Sequence, residues 1–379
     1  MLGFLSDYWK LKVDVIINEN EKKTLHFFIK AISRTNTAKA TVVLEMKLFE
    51  KEVIFYTVIK KRMFLPDIKP WSPKIATALD SAIVFEDLNA IQYKSANKLL
   101  GFDIAHTLEA LNTLARLHAS CIIYEESRSK ELERSYNINE EFHKILDKSC
   151  YDRESNWFIQ SINGALEAIK YFSKYGKDNE RMQAIEKVWH DVWFSALELS
   201  DASSKHRNVI CHRDLWNNNI MFHYKELNSN FVPDDCVFVD FQAARYQPLA
   251  GDIMQLLYCN LDRNLRESKM NEFLNHYYEQ LKSILSTKAL SIENILPKEK
   301  FLISAEEQRK WGLITAACLL PLIWISDDLM TKIFTDTTQF ENIIAKNRAS
   351  FVLKMMSENR KYKNKILEIC EEIVERYCR

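Results

Sequence analysis

An island of β-like sequence inside a helical chain is the feature that most limits how this protein can fold. Between Val209 and Phe241 the runs NVICHRDLW, NNNIMFHY and CVFVDF alternate short apolar stretches with polar turns. From Ala90 onward the rest is helical in period. DIAHTLEALNTLARLHASCIIYEE, GALEAIKYFSKY and ERMQAIEKVWHDVWFSALELS precede the island, NKILEICEEIVERYC follows it, and each repeats apolar residues every three or four positions. The N-terminal stretch reads the other way. YWKLKVDVII and TLHFFIK are rich in aromatic and β-branched residues, with polar NENEKK between them as a hairpin connection. KIATAL and SAIVFEDL are further strand candidates around a turn at Asp80 and Ser81. Between these pairs TVVLEMKLFEKEVIFYTVIKK is helical, with Leu48, Phe49, Tyr56 and Ile59 close together on one wheel. The expected fold is α+β and bilobal. A small N-terminal sheet lobe with one packed helix takes residues 1–88, and a large helical C-terminal lobe with the hairpin-like loop set inside it takes residues 89–379.

Composition argues for no other class. The length of 379 residues allows two domains or one bilobal unit, and 47% hydrophobic with 27% charged residues is ordinary for a globular protein. Formal net charge is zero, so no nucleic-acid or anionic-membrane partner is expected and specificity must come from a local pocket. The cysteines at 121, 150, 211, 236, 259, 318, 370 and 378 include no C-x-x-C pair and no zinc or disulfide spacing. They read as reduced, mostly buried small hydrophobes of a cytoplasmic protein. MLGFLSDYWK lacks the basic segment and the long apolar run of a signal peptide. The longest apolar stretch, WGLITAACLLPLIWI, is shorter than a membrane span and carries Pro321, so it reads as a core helix kinked or interrupted there.

The chemistry-bearing residues sit mainly in the island. His212, Arg213 and Asp214 are followed by Asn219, five positions after the aspartate, the spacing at which kinases place a base and a magnesium ligand. Phosphoryl transfer needs its nucleophile aligned and its phosphate charge neutralised by metal and cations. Asp214 is expected to accept or orient an acceptor hydroxyl, and Asn219 to hold Mg2+ through its side-chain oxygen. Asp240 in VFVDFQ ends an apolar strand, as the metal-binding aspartate of a kinase D-F-G does, with Gln242 in the glycine position. Lys30 ends HFFIK, where a strand lysine pairs with α- and β-phosphate oxygens of ATP. Its carboxylate partner follows from the wheel: Glu52 lies within about 60° of Phe49, Tyr56 and Ile59, whereas Glu50 points to the other side. Glu45 shares the face of Glu52 and is the runner-up. His212 is given a structural role. Singly, each residue has a plainer reading, such as a solvated lysine at a strand end. Their order, on a bilobal layout, points to a kinase.

With these parts in view, CHRDLWNNNIMF and VFVDFQAARYQPLAGDIMQLLY, together with IVFEDLNA and LEALNTLARLHAS, resemble the ecdysteroid kinase-like family. That family, also called CHK kinase-like, is common in insects and related to choline and aminoglycoside kinases. Its pattern H-G-D-L-W-x-N-N-I-M-F, then V-D-F-Q and a later D-L motif, is similar over most of the chain, with Arg213 in place of the glycine. The resemblance implies a protein-kinase-like fold, ATP and Mg2+, and transfer of the γ-phosphate to a hydroxyl of a small molecule such as an ecdysteroid. It makes Asp214 the base, Asn219 and Asp240 the metal ligands, and Lys30 with Glu52 the phosphate-positioning pair. It makes Glu86 to Leu88 the lobe hinge whose backbone meets adenine, and Asp252 a buried brace for the catalytic loop. Otherwise Asp87 and Asp252 read as plain N-caps. A protein kinase is the nearest rival, because of the H-R-D triplet. Only eleven residues separate Asp240 from Asp252, too few for an activation segment, and no A-P-E triplet follows, so a small-molecule acceptor is expected.

Gly3 is the only glycine before Gly101. The resemblance aligns GFLSDYWKLKV with a segment resembling G-x-L-G-D-H, placing the phosphate-covering loop at about Gly3 to Asp7, with Ser6 where a second glycine is expected. Relatives have a strand before that loop, so either Met1 is not the natural start or the lobe is shortened. Backbone N–H groups of such loops help cradle phosphates. A thin loop therefore keeps a second expectation in play, a catalytically inactive kinase-fold binding protein. A choline-type kinase is a third, and calls for an aromatic and acidic cage. Trp157, Phe158, Trp189, Trp193 and Trp216 are expected mostly in the core, with some free to stack on a flat hydrophobic acceptor.

Overall fold

In the computed structural model, which describes residues 5–18, 21–147 and 149–378, the aromatic and β-branched start of the chain forms an antiparallel pair, β1 (Ser6–Asn18) and β2 (Glu21–Ile32). With β3 (Ile75–Leu79) and β4 (Ala82–Glu86) it makes a four-stranded antiparallel sheet in the order β1-β2-β4-β3. Pairing runs further into the polar connection than its composition suggests, since Asn18 faces Glu21 across the ladder. Register sets up the site: Tyr8 lies opposite Lys30, and Phe28 opposite Phe85. The two-residue period of a strand then puts Phe28 and Lys30 on one face. Gly3 lies outside the described residues, while Ser6 and Asp7 open β1 and the Asp7 carboxylate receives the Ser33 hydroxyl and the Arg34 N–H.

The single helix expected over residues 41–61 is broken. α1 (Thr37–Glu45) starts at Asn36, whose side chain accepts the Lys39 N–H, and it stops at Met46. Lys47 then takes left-handed backbone angles, φ 54°, before α2 (Leu48–Ile54) begins. A π-helical turn, Phe55–Ile59, and a last α-turn, Lys60–Arg62, continue it. The apolar wheel holds only beyond the break: Leu48, Phe49, Phe55, Tyr56 and Ile59 are buried, whereas Leu44 and Glu45 are exposed. The left-handed residue redirects the axis, and Glu45 loses the face it would share with Glu52.

The island folds as two small sheets rather than one hairpin. β5 (Lys94–Ser95), from the connection between the lobes, joins β7 (Ile220–Leu227) and β8 (Asn230–Phe238), while β6 (Asn208–Cys211) pairs with β9 (Arg245–Pro248). Helix Ile104–Glu131 packs on β8 and β6. Helix Ala250–Asn260 packs on helix Lys298–Ile323, where Gly312 leaves room for Tyr258 and Met254 that a Cβ would fill. Pro321 does not interrupt that long helix. The chain stays helical to Ile323 and then turns by 88° into helix Asp327–Thr335. A proline this near the end removes one N–H from the last turn and little else. Phe158, Trp189 and Trp193 are core residues, as are seven of the eight free cysteines, Cys150 being half-buried. Among the described residues no single helix is long and apolar enough to cross a membrane.

An aromatic cluster joins the small-lobe helix to the island. Phe241, next to Asp240, stacks on Phe55 with ring centres 4.2 Å apart and planes 9° off parallel, and meets Trp71 at 5.5 Å and Tyr56 at 5.7 Å. This fixes the loop after β8 against the small-lobe helix.

Lys47 supplies a test of the broken helix. A β-branched side chain is disfavoured at positive φ and glycine is not. Lys47→Val should lower the unfolding free energy by about 1–2 kcal/mol in urea titrations, and Lys47→Gly should hold or raise it. Equal loss in both variants would argue for one continuous helix.

Candidate active site

Backbone geometry in the H-R-D loop is imposed by a helix behind it. Asp252, in the first turn of helix Ala250–Asn260, is fully buried. Its carboxylate accepts the N–H groups of His212 (2.6 Å) and Arg213 (2.9 Å). Three residues on, Gln255 accepts the Leu215 N–H at 3.0 Å and donates to the Arg213 carbonyl at 2.9 Å; Asn260 donates to the Leu215 carbonyl at 2.7 Å. Asp252 is therefore no helix cap, whereas Asp87 caps the short 3-10 helix Leu88–Ile91 by accepting the Asn89 N–H. Arg213 sits at φ 66°, the left-handed backbone that glycine adopts freely. The loop thus keeps the shape a glycine would give it, held by hydrogen bonds to a carboxylate.

His212 is fully buried, and burial lowers its affinity for a proton. Its Nε2 donates to the Val239 carbonyl at 2.9 Å and its Nδ1 accepts the Asp214 N–H at 3.2 Å. Neutral and bonded on both nitrogens, it ties Asp214 to the residue before Asp240. Asn219 donates through Nδ2 to the Asp214 carboxylate (2.7 Å) and carbonyl (2.9 Å), which leaves its Oδ1 for another partner. Burial first, and then the charge of Asp240, raise the Asp214 carboxyl to about 7.

Lys30 gathers the other acidic groups. Its ammonium lies 2.5 Å from Glu52 and 2.7 Å from Asp240, with the Gln242 carbonyl oxygen at 3.5 Å. Burial alone would strip its proton, but Asp240 and Glu52 hold it above the ordinary lysine range. Burial pushes Glu52 up against the pull of Lys30. Asp240 itself has φ 70°, an unfavourable angle for a non-glycine residue at the junction of the lobes. Glu52, chosen on a wheel that is interrupted at Lys47, is the carboxylate that meets Lys30, because the choice used only the turns beyond the break.

Two cavities meet here. The first, about 50 Å³, lies between the sheet and the island and is lined by Lys30, Glu52, Glu86 and Leu88 among others. Its roof is Tyr8 stacked on Phe28 at 5.4 Å, and its floor is Met221 with Val239. The Glu86 and Asp87 N–H groups donate to the Lys74 and His26 carbonyls, so of the three hinge donors the Leu88 N–H is the one these pairings leave. The second cavity, about 350 Å³, has mainly apolar walls, including Leu48, Trp157, Trp216 and Phe340, with Asp214 among its few acidic groups. Asn219 and Asp240 line both, whereas Lys30 opens only on the first and Asp214 only on the second. The motifs did not single out Tyr8, Phe28, Met221, Val239, Gln255 or Asn260. The signal for Phe28 was its two-residue offset from Lys30; the others depend on pairings that a linear reading does not contain.

A bilobal kinase-like fold with these groups at its junction defines the class. Residues 3–289 match the ecdysteroid kinase-like family, and the chain belongs to it. An uncharacterized kinase-like protein of Caenorhabditis elegans is 26% identical over 209 residues, 55% of this chain and 49% of that protein. The chain thus spans about half the length of this curated relative. Among solved structures, ADP-bound aminoglycoside phosphotransferase APH(2'')-Ib is 13% identical with a TM-score of 0.35, covering 79% of this chain and 94% of its own. A microcompartment-associated aminopropanol kinase is 11% identical with a TM-score of 0.37, covering 92% and 93%.

Asp252→Asn replaces an acceptor that serves two N–H groups by an amide with one acceptor oxygen, stranding a buried donor. The variant should lose about 2–4 kcal/mol of stability by chemical denaturation. Stability within about 0.5 kcal/mol of the parent would show that the loop holds its shape without the carboxylate.

Proposed function

We propose that the chain is an ATP- and Mg2+-dependent small-molecule kinase that transfers the γ-phosphoryl group to a hydroxyl of a hydrophobic alcohol, such as an ecdysteroid. The observation that carries this reading is the meeting of the two cavities at Asn219 and Asp240, with Lys30 on one side and Asp214 on the other. A donor in the first and an acceptor in the second would face each other across those two side chains. Adenine would lie between the Tyr8–Phe28 stack and Met221, with the Leu88 N–H at its edge. Lys30 would exchange its bond to Asp240 for phosphate oxygens while Glu52 keeps it in place.

The residues fit a hard divalent cation. The free Asn219 Oδ1 and the Asp240 carboxylate supply oxygen donors, and the Nδ2 bonds of Asn219 orient its oxygen away from Asp214. Mg2+ held there would neutralise the phosphate charge. Asp214 orients the acceptor hydroxyl and takes its proton, a role its raised proton affinity suits near neutral pH. Apolar walls and a volume of about 350 Å³ suit a largely uncharged acceptor in the lower part of the range of small-molecule pockets. A choline-type acceptor is disfavoured by the buried Arg213 guanidinium in the same wall.

One observation favours a non-catalytic binding role instead: the first cavity holds about 50 Å³, too little for a nucleotide until the lobes separate and Lys30 releases Asp240. Calorimetry with Mg-ATP decides between the two. Micromolar binding that Asp240→Ala abolishes, followed by ADP release with ecdysteroids or other alcohols, is the expected result. Absence of binding in the parent chain would overturn the kinase reading.

The pH dependence follows from Asp214. A base must be deprotonated, so kcat/KM should rise about tenfold per pH unit below about pH 7 and level off above it. Asp214→Asn should lower kcat by about 10²–10⁴-fold and remove that limb from what activity remains. A parent profile flat from pH 5 to 8 would remove Asp214 as the base.

A further inference from the structure

Arg213 carries a side chain that its own loop does not use. It is 1% exposed, and no carboxylate among the described residues forms an ion pair with it. Nη1 donates to the Ser149 hydroxyl at 3.2 Å, and the guanidinium lies over the Tyr151 and Trp311 rings, 5.3 and 4.8 Å from their centres. Nε and Nη2 are buried without a hydrogen-bond partner. Stacking on two rings offsets part of the cost of burying the charge and leaves those donors unused. The family pattern has glycine at this position and the backbone sits at φ 66°, so the loop's shape does not call for the guanidinium.

The unused pair is a particular one. Nε and Nη2 form the edge of a guanidinium where two N–H bonds run parallel, and that edge matches the two oxygens of a carboxylate. Arg213 is a wall residue of the second cavity, as is Tyr151, the ring it lies over. Asp214, the next residue, lines the same cavity, but its carboxylate is held by the Asn219 amide at 2.7 Å. Of the other acidic wall residues, Asp240 is engaged by Lys30 and Glu45 is exposed. Arg213 is the one cation among the described wall residues, and the rest of the wall is largely apolar. The cavity therefore presents a single buried charge with no anion to meet it.

We propose that Arg213 sets acceptor specificity by binding a carboxylate of the acceptor along its Nε–Nη2 edge, so that the substrate is a hydrophobic hydroxy acid. The hydroxyl half of this statement rests on the kinase reading, which gives the hydroxyl to Asp214; the acid half rests on the cavity alone. Because Arg213 and Asp214 line one cavity, a single molecule can present its acid to the first and its hydroxyl to the second. Its apolar body lies against Trp157, Trp216 and Phe340. Binding the acid asks the loop to give up no bond, since Ser149 keeps Nη1.

Calorimetry on the full chain without nucleotide tests the acid site separately from ATP binding. The probes are hydroxydecanoic acid and a hydroxylated steroid carboxylic acid, each beside its own primary amide, which has nearly the same shape and no charge. The parent should bind at least one acid about tenfold or more tighter than its amide. Arg213→Gly suits the left-handed backbone and removes a buried charge, so it should melt no lower than the parent. In that variant acid and amide should bind within about twofold of each other. Arg213→Lys keeps the charge without the paired edge and should fall between. A parent that binds neither acid better than its amide would overturn the proposal, as would an acid preference that survives in Arg213→Gly. Failure to bind Mg-ATP would overturn the kinase reading alone and leave the acid site standing.

Discussion

The H-R-D loop depends on one buried carboxylate. Asp252 receives two successive N–H groups, and this holds Arg213 in a backbone shape that its own side chain disfavours. From that shape the rest follows. His212 can bond both Asp214 and the strand that ends at Asp240, and Asn219 can turn its amide donor toward Asp214. A carboxylate brace of this kind is worth more than a neutral one because both bonds are charge-assisted in a site sealed from water. Two N–H dipoles and the first turn of its own helix supply positive potential, and the buried His118 Nε2 lies 3.4 Å from the same carboxylate.

Lys30 does for the two lobes what Asp252 does for the loop. Its ammonium bridges Glu52 on the small-lobe helix and Asp240 on the island, while the Phe55–Phe241 stack supports the same junction through apolar contact. An ion pair and a ring stack fail differently. A ring stack depends on the two faces staying in contact, whereas an ammonium can exchange one carboxylate for other oxygens and keep the second. The junction of the lobes thus combines an ion pair with an apolar stack.

Much of this was legible in the sequence where periodicity or spacing is local. Strand alternation gave the sheet, and the order of Lys30, Glu52, Asp214, Asn219 and Asp240 gave the groups that meet at the junction. The helix break at Lys47 was hidden because a left-handed residue leaves no mark on an apolar wheel when the residue is a lysine and not a glycine. The bracing role of Gln255 and Asn260 was hidden for another reason. Each looks like an ordinary polar residue in an apolar helix until the loop it serves is placed against it. The roof of the first cavity required cross-strand register, which links Tyr8 to Lys30 over twenty-two positions.

Adjacent residues of opposite charge serve different neighbourhoods. On α2, Glu52 faces Lys30 while Lys51 reaches the Leu146 carbonyl; in the loop, Asp214 receives the Asn219 amide while Arg213 donates to Ser149. Neighbours in a helix lie about 100° apart around the axis, so adjacent residues can serve two different surroundings. The fully buried Lys30–Glu52 pair is screened little by salt, whereas ion pairs at the surface weaken as salt rises.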